Sequence, residues 1–271
     1  NNNTEKTAKN VILATGARSR NLPFVSSDGV NIWDYKTAMT PPKLPASLII
    51  VGSGAIGMEF ASFYNDLGVD VTIVEALPSI LPNEDTDISK IVKLNFEKRG
   101  IKIRTNSALK SVSSKENSVL AEIITNKKVE TINSEKLILA IGIIANTEKL
   151  GLKDFNVKID KGHVVTNEFL ETDEKGVYAI GDITDGPWLA HKASHEGILC
   201  VEKIAGHQNL KPIDKTSIPG CTYCRPQVAS IGMTETQARS KNLNFKIGKF
   251  PFIGNGKAIA LGDSEGLIKT I

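Results

Sequence analysis

The string Gly52-Ser53-Gly54-Ala55-Ile56-Gly57-Met58 places three glycines at the spacing of a dinucleotide fingerprint. In that pattern the first glycine makes a tight turn and the second lets the backbone approach a pyrophosphate. The third lets helix and strand pack closely. The helix that follows offers an anion its first amide donors and the positive end of its dipole. Glu75 closes the next apolar run. A carboxylate there can accept hydrogen bonds from a ribose diol and would repel a 2′-phosphate. No arginine follows in Ala76-Leu77-Pro78, so NAD is favoured over NADP.

Other residues carry weaker signals. Glu59 sits two residues past the last fingerprint glycine, where acidic residues often do no more than match the helix dipole. Asp182 follows an apolar run through Gly181, a position from which a carboxylate can hold a sugar-alcohol chain; Gly-Asp pairs are also common in ordinary turns. Cys221-Thr-Tyr-Cys224 has redox or zinc-like spacing but follows Pro219-Gly220, opens no helix and has no second cysteine pair, so it reads as structural. His191 and His195 stand four apart without the glutamate of a metalloprotease motif, so no metal is expected.

The elements that must position these residues follow from periodicity. Lys9–Ala14 is a short apolar run closed by Thr15-Gly16 and reads as a buried parallel strand. Asn21 to Pro45 has little periodicity and reads as a crossover connection. Ser47–Val51, the fingerprint, a helix over Ala55–Leu67, the Gly68 cap and a strand Val69–Val74 give the context the fingerprint requires. In that helix Ile56, Phe60, Phe63 and Leu67 share one face. Asp85 or Thr86 caps a second helix reaching about Arg99. Short alternating segments over Ile101–Thr105, Ala108–Ser113, Val119–Ile124 and Lys128–Ile132, with a turn at Asn126-Lys127, read as a small β-meander. Lys136–Ile141 and Val177–Ile180 are further buried strands, and Leu189–Ala205 fits a helix. Val228–Ile231, a short helix from Thr234, Phe245–Phe250 and Gly266–Ile271 begin an α+β region.

Composition bounds the class. The chain has 271 residues, 41% hydrophobic and 23% charged, as in globular proteins. Its 33 basic and 30 acidic residues are spread without blocks, leaving a net charge of +3. This predicts neither a nucleic-acid nor a membrane partner, since both need a concentrated basic face. No apolar run reaches the roughly 18 residues of a membrane span, and no signal peptide opens the chain. Three cysteines (Cys200, Cys221, Cys224) are too few for a secreted disulfide framework, so a cytoplasmic compartment is expected. Asn1 to Lys9 lead straight into a strand and Gly266–Ile271 stop inside an apolar run; the chain reads as a fragment cut at both ends.

Three strings together carry a resemblance. They are Val177-Tyr-Ala-Ile-Gly-Asp182, Leu189-Ala-His191-Lys-Ala-Ser-His-Glu196-Gly197, and Ile218-Pro-Gly-Cys-Thr-Tyr-Cys-Arg-Pro226-Gln-Val-Ala-Ser-Ile-Gly232-Met-Thr-Glu235. Over essentially its whole length the chain resembles the flavoprotein disulfide reductases, and among them the members that serve 2-oxoacid dehydrogenase complexes. The resemblance implies FAD contacts from Thr15, Gly16 and Ala17. Asp182 would lie on the ribityl chain, and Trp188, Leu189, Ala190 and His191 along the flavin. It implies that NAD is held by Gly52 to Met58, Glu75, Leu109 near the adenine, and Gly142. Glu59 becomes a nicotinamide- and flavin-side helper that would pair with a lysine upstream of Asn1. The implied reaction passes electrons from dihydrolipoamide through an enzyme disulfide and FAD to NAD. The lipoyl domain of a 2-oxoacid dehydrogenase complex and a second copy of the chain are the implied partners.

Departures accompany the match. The family's Cys-x-x-x-x-Cys dithiol, its first flavin fingerprint and its C-terminal His-Glu pair are absent from this sequence, so no catalytic residue is assigned here and the segment alone should be inactive. Ile143-Ile-Ala145-Asn146 stands where many relatives carry arginine and proline. The expected class is α/β: a Rossmann-like FAD/NAD(P)-binding domain inserted in a partial FAD domain, then the start of an α+β dimerisation domain. Its expected segments are 1–36 (first FAD-domain segment and crossover), 37–152 (NAD), 153–214 (second FAD-domain segment) and 215–271 (interface). An NADH oxidase or transhydrogenase of the same fold, or a non-catalytic nucleotide-binding module, stays open as an alternative.

Overall fold

The computed structural model describes residues 4–271. Asn1–Asn3, at the head of the first expected segment, lie outside the described residues. The chain divides into two compact units: residues up to Arg18 with Ile143–Ile218, and Ser19–Gly142 with Pro219–Ile271.

The second unit is built on a five-stranded sheet. In spatial order its strands are Ile32–Trp33, Lys136–Leu139, Ser47–Val51, Asp70–Val74 and Lys102–Arg104, and all neighbouring pairs are parallel. Alternate residues of a strand face opposite sides, and both sides are covered. Leu48, Ile50, Val71 and Ile73 join Met58, Ala61, Tyr64, Val92 and Phe96 in the core beneath the helices Ala55–Asp66 and Thr86–Lys98. Ile49, Val51, Val74 and Leu139 meet Val119, Ala121 and Ile123 of a three-stranded antiparallel meander, Ser107–Lys115, Ser118–Thr125 and Lys128–Ser134. Covering on both faces is what a parallel sheet requires, and it explains the continuous apolar runs of the central strands.

Three expectations are corrected here. The Asn21–Pro45 stretch is not only a crossover, because Ile32–Trp33 inserts as an edge strand of the sheet. Its two residues are too few to carry a period. Ile101–Thr105 is not part of the meander; Lys102–Arg104 pairs with Thr72–Val74 as the fifth parallel strand. The helix Ala55–Asp66 buries Gly57, Met58, Ala61, Ser62 and Tyr64, while Ile56, Phe63 and Leu67 are exposed and Phe60 is only half-buried. The buried face instead carries Gly57, where a side chain would collide with the Gly52 carbonyl, together with the large side chains of Met58 and Tyr64. The Asn126-Lys127 turn is as expected, with φ of 50° and 66° at its two residues.

Within the same unit, residues 219–271 are anchored by ion pairs. Lys269, its side chain only 4% exposed, donates to Asp85, Asp87 and Glu235 at 2.7–2.8 Å. Asp85 also caps the Thr86–Lys98 helix, accepting the Asp87 amide. Lys249 adds a second cation to Asp87 at 2.8 Å.

In the first unit, strand Val11–Leu13 runs parallel to Val177–Ala179, with Leu13 opposite Ala179. Lys9–Ala14 was expected to be buried, yet Val11 is 45% and Ile12 37% exposed. Among the described residues this strand has one neighbour, so an edge and much of a face stay open. The helix Ala190–Ile204 contributes Leu199 and Cys200 to a small core with Leu170 and Tyr178.

Candidate nucleotide-binding sites

The parallel register collects the fingerprint residues at one edge. Strands Ser47–Val51, Asp70–Val74 and Lys136–Leu139 end level, Val51 opposite both Val74 and Leu139. Their C-terminal ends therefore carry Gly52–Gly57, Glu75 and Gly142 side by side. The chain leaves Ser47–Val51 toward Asp70–Val74 and later returns to its other flank with Lys136–Leu139. Such a reversal of strand order opens a crevice at the carboxyl ends, where ligands of open α/β sheets bind.

Each fingerprint glycine has a separate cause. Gly52 has a φ of 99°, and a Cβ there would collide with the Ala140 carbonyl oxygen. A Cβ at Gly57 would strike the Gly52 carbonyl. At Gly54 a Cβ would meet nothing within 4 Å, so this backbone borders open space. Gly54 is also the N-cap of helix Ala55–Asp66, and no side chain caps it. An uncapped helix start beside an open glycine leaves amide donors free for an anion. Ala55 and Ile56 are exposed at this terminus, and Met58 is buried against the sheet.

Glu75, 7% exposed, braces the loop. Its Oε2 accepts the Ser53 amide at 2.8 Å and the Ser53 hydroxyl at 2.6 Å, and its Oε1 accepts the Leu77 amide at 2.8 Å. A carboxylate offers about four acceptor sites, so capacity for a diol hydroxyl remains. Leu109, half-buried, packs on the core that contains Val74. Gly142 has a φ of 100°, and its carbonyl accepts the Arg20 amide.

Glu59 is half-buried, and its Oε1 accepts the Tyr223 amide at 2.8 Å. One turn on, Ser62 Oγ accepts the Arg225 amide at 2.9 Å, and Arg99 bridges Asp66 and the Arg225 carbonyl. Glu59, Ser62 and Asp66 thus form a polar stripe that seats the 223–225 loop. Cys221 is exposed on strand Gly220–Thr222, whereas Cys224 is buried with its thiol donating to the Pro226 carbonyl. Burial pushes the Cys224 thiol up to about 11, which keeps it a thiol at neutral pH.

The first unit presents a smaller set. Because Val11–Leu13 and Val177–Ala179 are adjacent and parallel, the turns after them, Thr15–Ala17 and Gly181–Asp182, emerge at the same end. Asn146 closes the first turn. Its amide nitrogen donates to Gly16, its side-chain amide to the Thr15 carbonyl at 2.9 Å, and its own carbonyl accepts the Thr15 hydroxyl at 2.8 Å. Asp182 is half-buried on a 3-10 turn, Gly181–Ile183. Trp188 stacks on His163 with ring centroids 5.2 Å apart and donates its indole N–H to the Thr184 carbonyl. Leu189 caps the helix on which Ala190 and His191 are exposed. His191 and His195 both lie on that helix, and no group of three potential metal ligands exists among the described residues.

Sequence reasoning assigned no role to Lys192, Glu196 or Asn146. Lys192 and Glu196 form a buried ion pair that grips the Gly181 backbone. Their four-residue spacing was readable, but it looks the same on an exposed helix.

A parallel sheet with a glycine fingerprint at its switch point and a buried carboxylate at the end of the next strand is the construction of a dinucleotide-binding fold. Residues 1–197 match the family model described as pyridine nucleotide-disulphide oxidoreductase, and residues 218–271 match that family's dimerisation domain. The chain belongs to this family. It is 50% identical over 266 residues to a dihydrolipoyl dehydrogenase of Rhizobium etli, covering 98% of this chain and 55% of that protein. It is 50% identical over 265 residues to the dihydrolipoyl dehydrogenase of Zymomonas mobilis, covering 97% and 57%. The solved structure of LpdA from Mycobacterium tuberculosis superimposes with a TM-score of 0.89 at 28% identity, covering 97% of this chain and 56% of that one. The HOCl-induced flavoprotein disulfide reductase RclA of Escherichia coli gives 0.85 at 25%, covering 96% and 59%. The chain therefore spans a little over half the length of these relatives. No helix among the described residues is long and apolar enough to cross a membrane.

Proposed function

We propose that this chain supplies the nicotinamide-binding part, and a portion of the flavin-binding part, of a dihydrolipoyl dehydrogenase. The observation that carries the reading is the joint construction at the switch point: an open glycine, an uncapped helix and a buried carboxylate on the next strand end. The two relatives with 50% identity support it. Gly52–Met58 would border the pyrophosphate of NAD, with the amides at the uncapped start of helix Ala55–Asp66 as its donors, Glu75 would take the adenosine ribose, and Leu109 and Gly142 the adjoining walls. Thr15, Gly16 and Ala17 would approach FAD with main chain, Asp182 would accept from its ribityl hydroxyls, and Trp188–His191 would line it. Glu59, fixed by the Tyr223 amide, would stand on the nicotinamide side.

When bound, FAD would supply two-electron chemistry between a dithiol and the nicotinamide, and NAD would supply the hydride-accepting ring. The overall balance is dihydrolipoamide plus NAD⁺ giving lipoamide, NADH and a proton. The chain's own residues contribute orientation and electrostatics to this chemistry. The match of residues 218–271 to a dimerisation domain supports a homodimer, and a lipoyl domain is the proposed partner. A cytoplasmic location is proposed on the three free cysteines. The test is purification of the intact protein with an assay of NAD⁺-dependent dihydrolipoamide oxidation. Flavin absorbance with turnover is expected. Flavin absorbance with oxygen consumption in place of lipoamide formation would reassign it as an oxidase, and a colourless protein would remove the flavoenzyme reading.

A further inference from the structure

Lys192 and Glu196 stand one turn apart on helix Ala190–Ile204, a spacing that on an exposed face contributes little to stability. Here the side chains are 0% and 4% exposed, with Nζ 3.0 Å from Oε1. Taking both charges out of water is costly, and an apolar pair of similar volume would often be as stable. The other contacts of the pair give the reason for its presence. Glu196 Oε2 accepts the Gly181 amide at 2.7 Å. Lys192 Nζ donates to the Gly181 carbonyl at 3.2 Å and to Thr184 Oγ1 at 2.9 Å, and that hydroxyl donates to the same carbonyl at 2.8 Å. With Glu196 these contacts use all three ammonium protons.

The amide and the carbonyl of Gly181 belong to successive peptide planes on either side of its Cα. Holding both planes fixes the two backbone torsions between them, here with φ at 76° in the left-handed region. A glycine is free to leave that region, so the grip decides where the next residue points. The next residue is Asp182.

We propose that the Lys192–Glu196 pair is a positioning device that sets the direction of the Asp182 carboxylate toward the polyhydroxyl chain of a flavin nucleotide. The proposal rests on the reading of Asp182 as a flavin ligand given above. Both side chains are buried and act through the Gly181 backbone, as supporting shells do at preorganised sites.

The test is a double-variant cycle in the intact protein. Asp182→Asn, Lys192→Met and the double variant are stripped of flavin, and FAD affinity is read from fluorescence titration of the apoprotein. NAD binding, which belongs to the other unit, serves as the internal control. Each single variant is expected to weaken FAD binding by about tenfold or more, the scale of one charge-assisted hydrogen bond. The double variant should be no weaker than the worse single by more than about twofold, because both changes remove one interaction. Multiplied losses would overturn the proposal and make the pair a stabiliser of the unit alone, as would unchanged affinity in Lys192→Met. Unchanged affinity in Asp182→Asn would instead remove the underlying flavin-ligand reading. Should Lys192→Met not fold, Glu196→Gln, which keeps the side-chain shape and a carbonyl acceptor, runs the same cycle.

Discussion

Replacing Glu75 by alanine should separate two roles that one buried carboxylate combines. In the structure Glu75 accepts three hydrogen bonds, two from Ser53, which is itself fully buried. Removing the acceptor leaves the Ser53 amide and hydroxyl unpaired, at about 1–3 kcal/mol each. The Leu77 amide lies in a more exposed stretch and regains water. With solvent entering the small cavity, a local destabilisation of about 2–4 kcal/mol follows. The ribose contacts would be lost as well, weakening NAD by about 1–3 kcal/mol, or roughly 5- to 150-fold. Loss of the carboxylate should also narrow the preference for NAD over NADP, since the repulsion of a 2′-phosphate goes with it. Hydrogen exchange at the Ser53 and Leu77 amides reads the first effect, and calorimetry with NAD and NADP on the intact protein reads the second. Ser53→Ala is the control. It keeps the backbone bond and forfeits only the hydroxyl bond, about 1 kcal/mol, so NAD should bind within about threefold of the parent. If Glu75→Ala exchanges faster yet binds NAD unchanged, the carboxylate is a loop brace and the ribose assignment fails. If the amides stay protected, the bracing argument fails instead.

Gly52→Ala should abolish NAD binding and lower the melting temperature of the unit, because its φ of 99° and the Ala140 carbonyl both exclude a side chain. Gly54→Ala should leave the melting temperature alone and still weaken NAD, since its Cβ would point into the space a pyrophosphate needs; a stability loss there would contradict the open geometry. Hydrogen bonds from Lys249 and then Lys269 hold the Asp87 carboxyl down at about 2 against an ordinary 3.8. A depressed carboxyl stabilises the fold above its ordinary value, and that contribution disappears as the pH falls through about 2. Exchange protection in residues 219–271 should therefore drop between these limits, with a shallower drop in Asp87→Asn; equal slopes would dismiss the linkage. Cys224 is buried with its thiol raised to about 11, and Cys200 is buried and raised too. Mass-spectrometric mapping after brief alkylation at neutral pH should therefore find Cys221 modified and these two spared; equal labelling of Cys221 and Cys224 would revive a dithiol.

Much of the nucleotide unit was legible because its signals are local. Glycines at 52, 54 and 57, the Gly68 cap and the Asp85 cap each act within a few residues, so spacing alone places the turn, the helices and Glu75. Ile32–Trp33 escaped because a two-residue strand has no period, and Lys102–Arg104 because an alternating segment does not name its partner strand. The outward stripe Ile56, Phe63 and Leu67 shows the limit of amphipathic reading. The buried face combines the close backbone approach at Gly57 with Met58 and Tyr64, a glycine contact that apolar periodicity does not register.

By itself the sequence determined the kind of protein: a glycine turn of dinucleotide spacing, an acid closing the next strand, and a family resemblance that the domain matches bear out. Tertiary structure alone decided which polar residues hold those parts in place. Lys192 and Glu196 look like a surface pair in the chain, and Asn146 looks like a loop residue. Their roles come from burial and from strands brought together across 131 residues between Thr15 and Asn146. Spacing along a chain records which neighbours a residue has within a helix or turn. The dielectric around a charge, and the backbone group it grips, exist only once distant segments have packed.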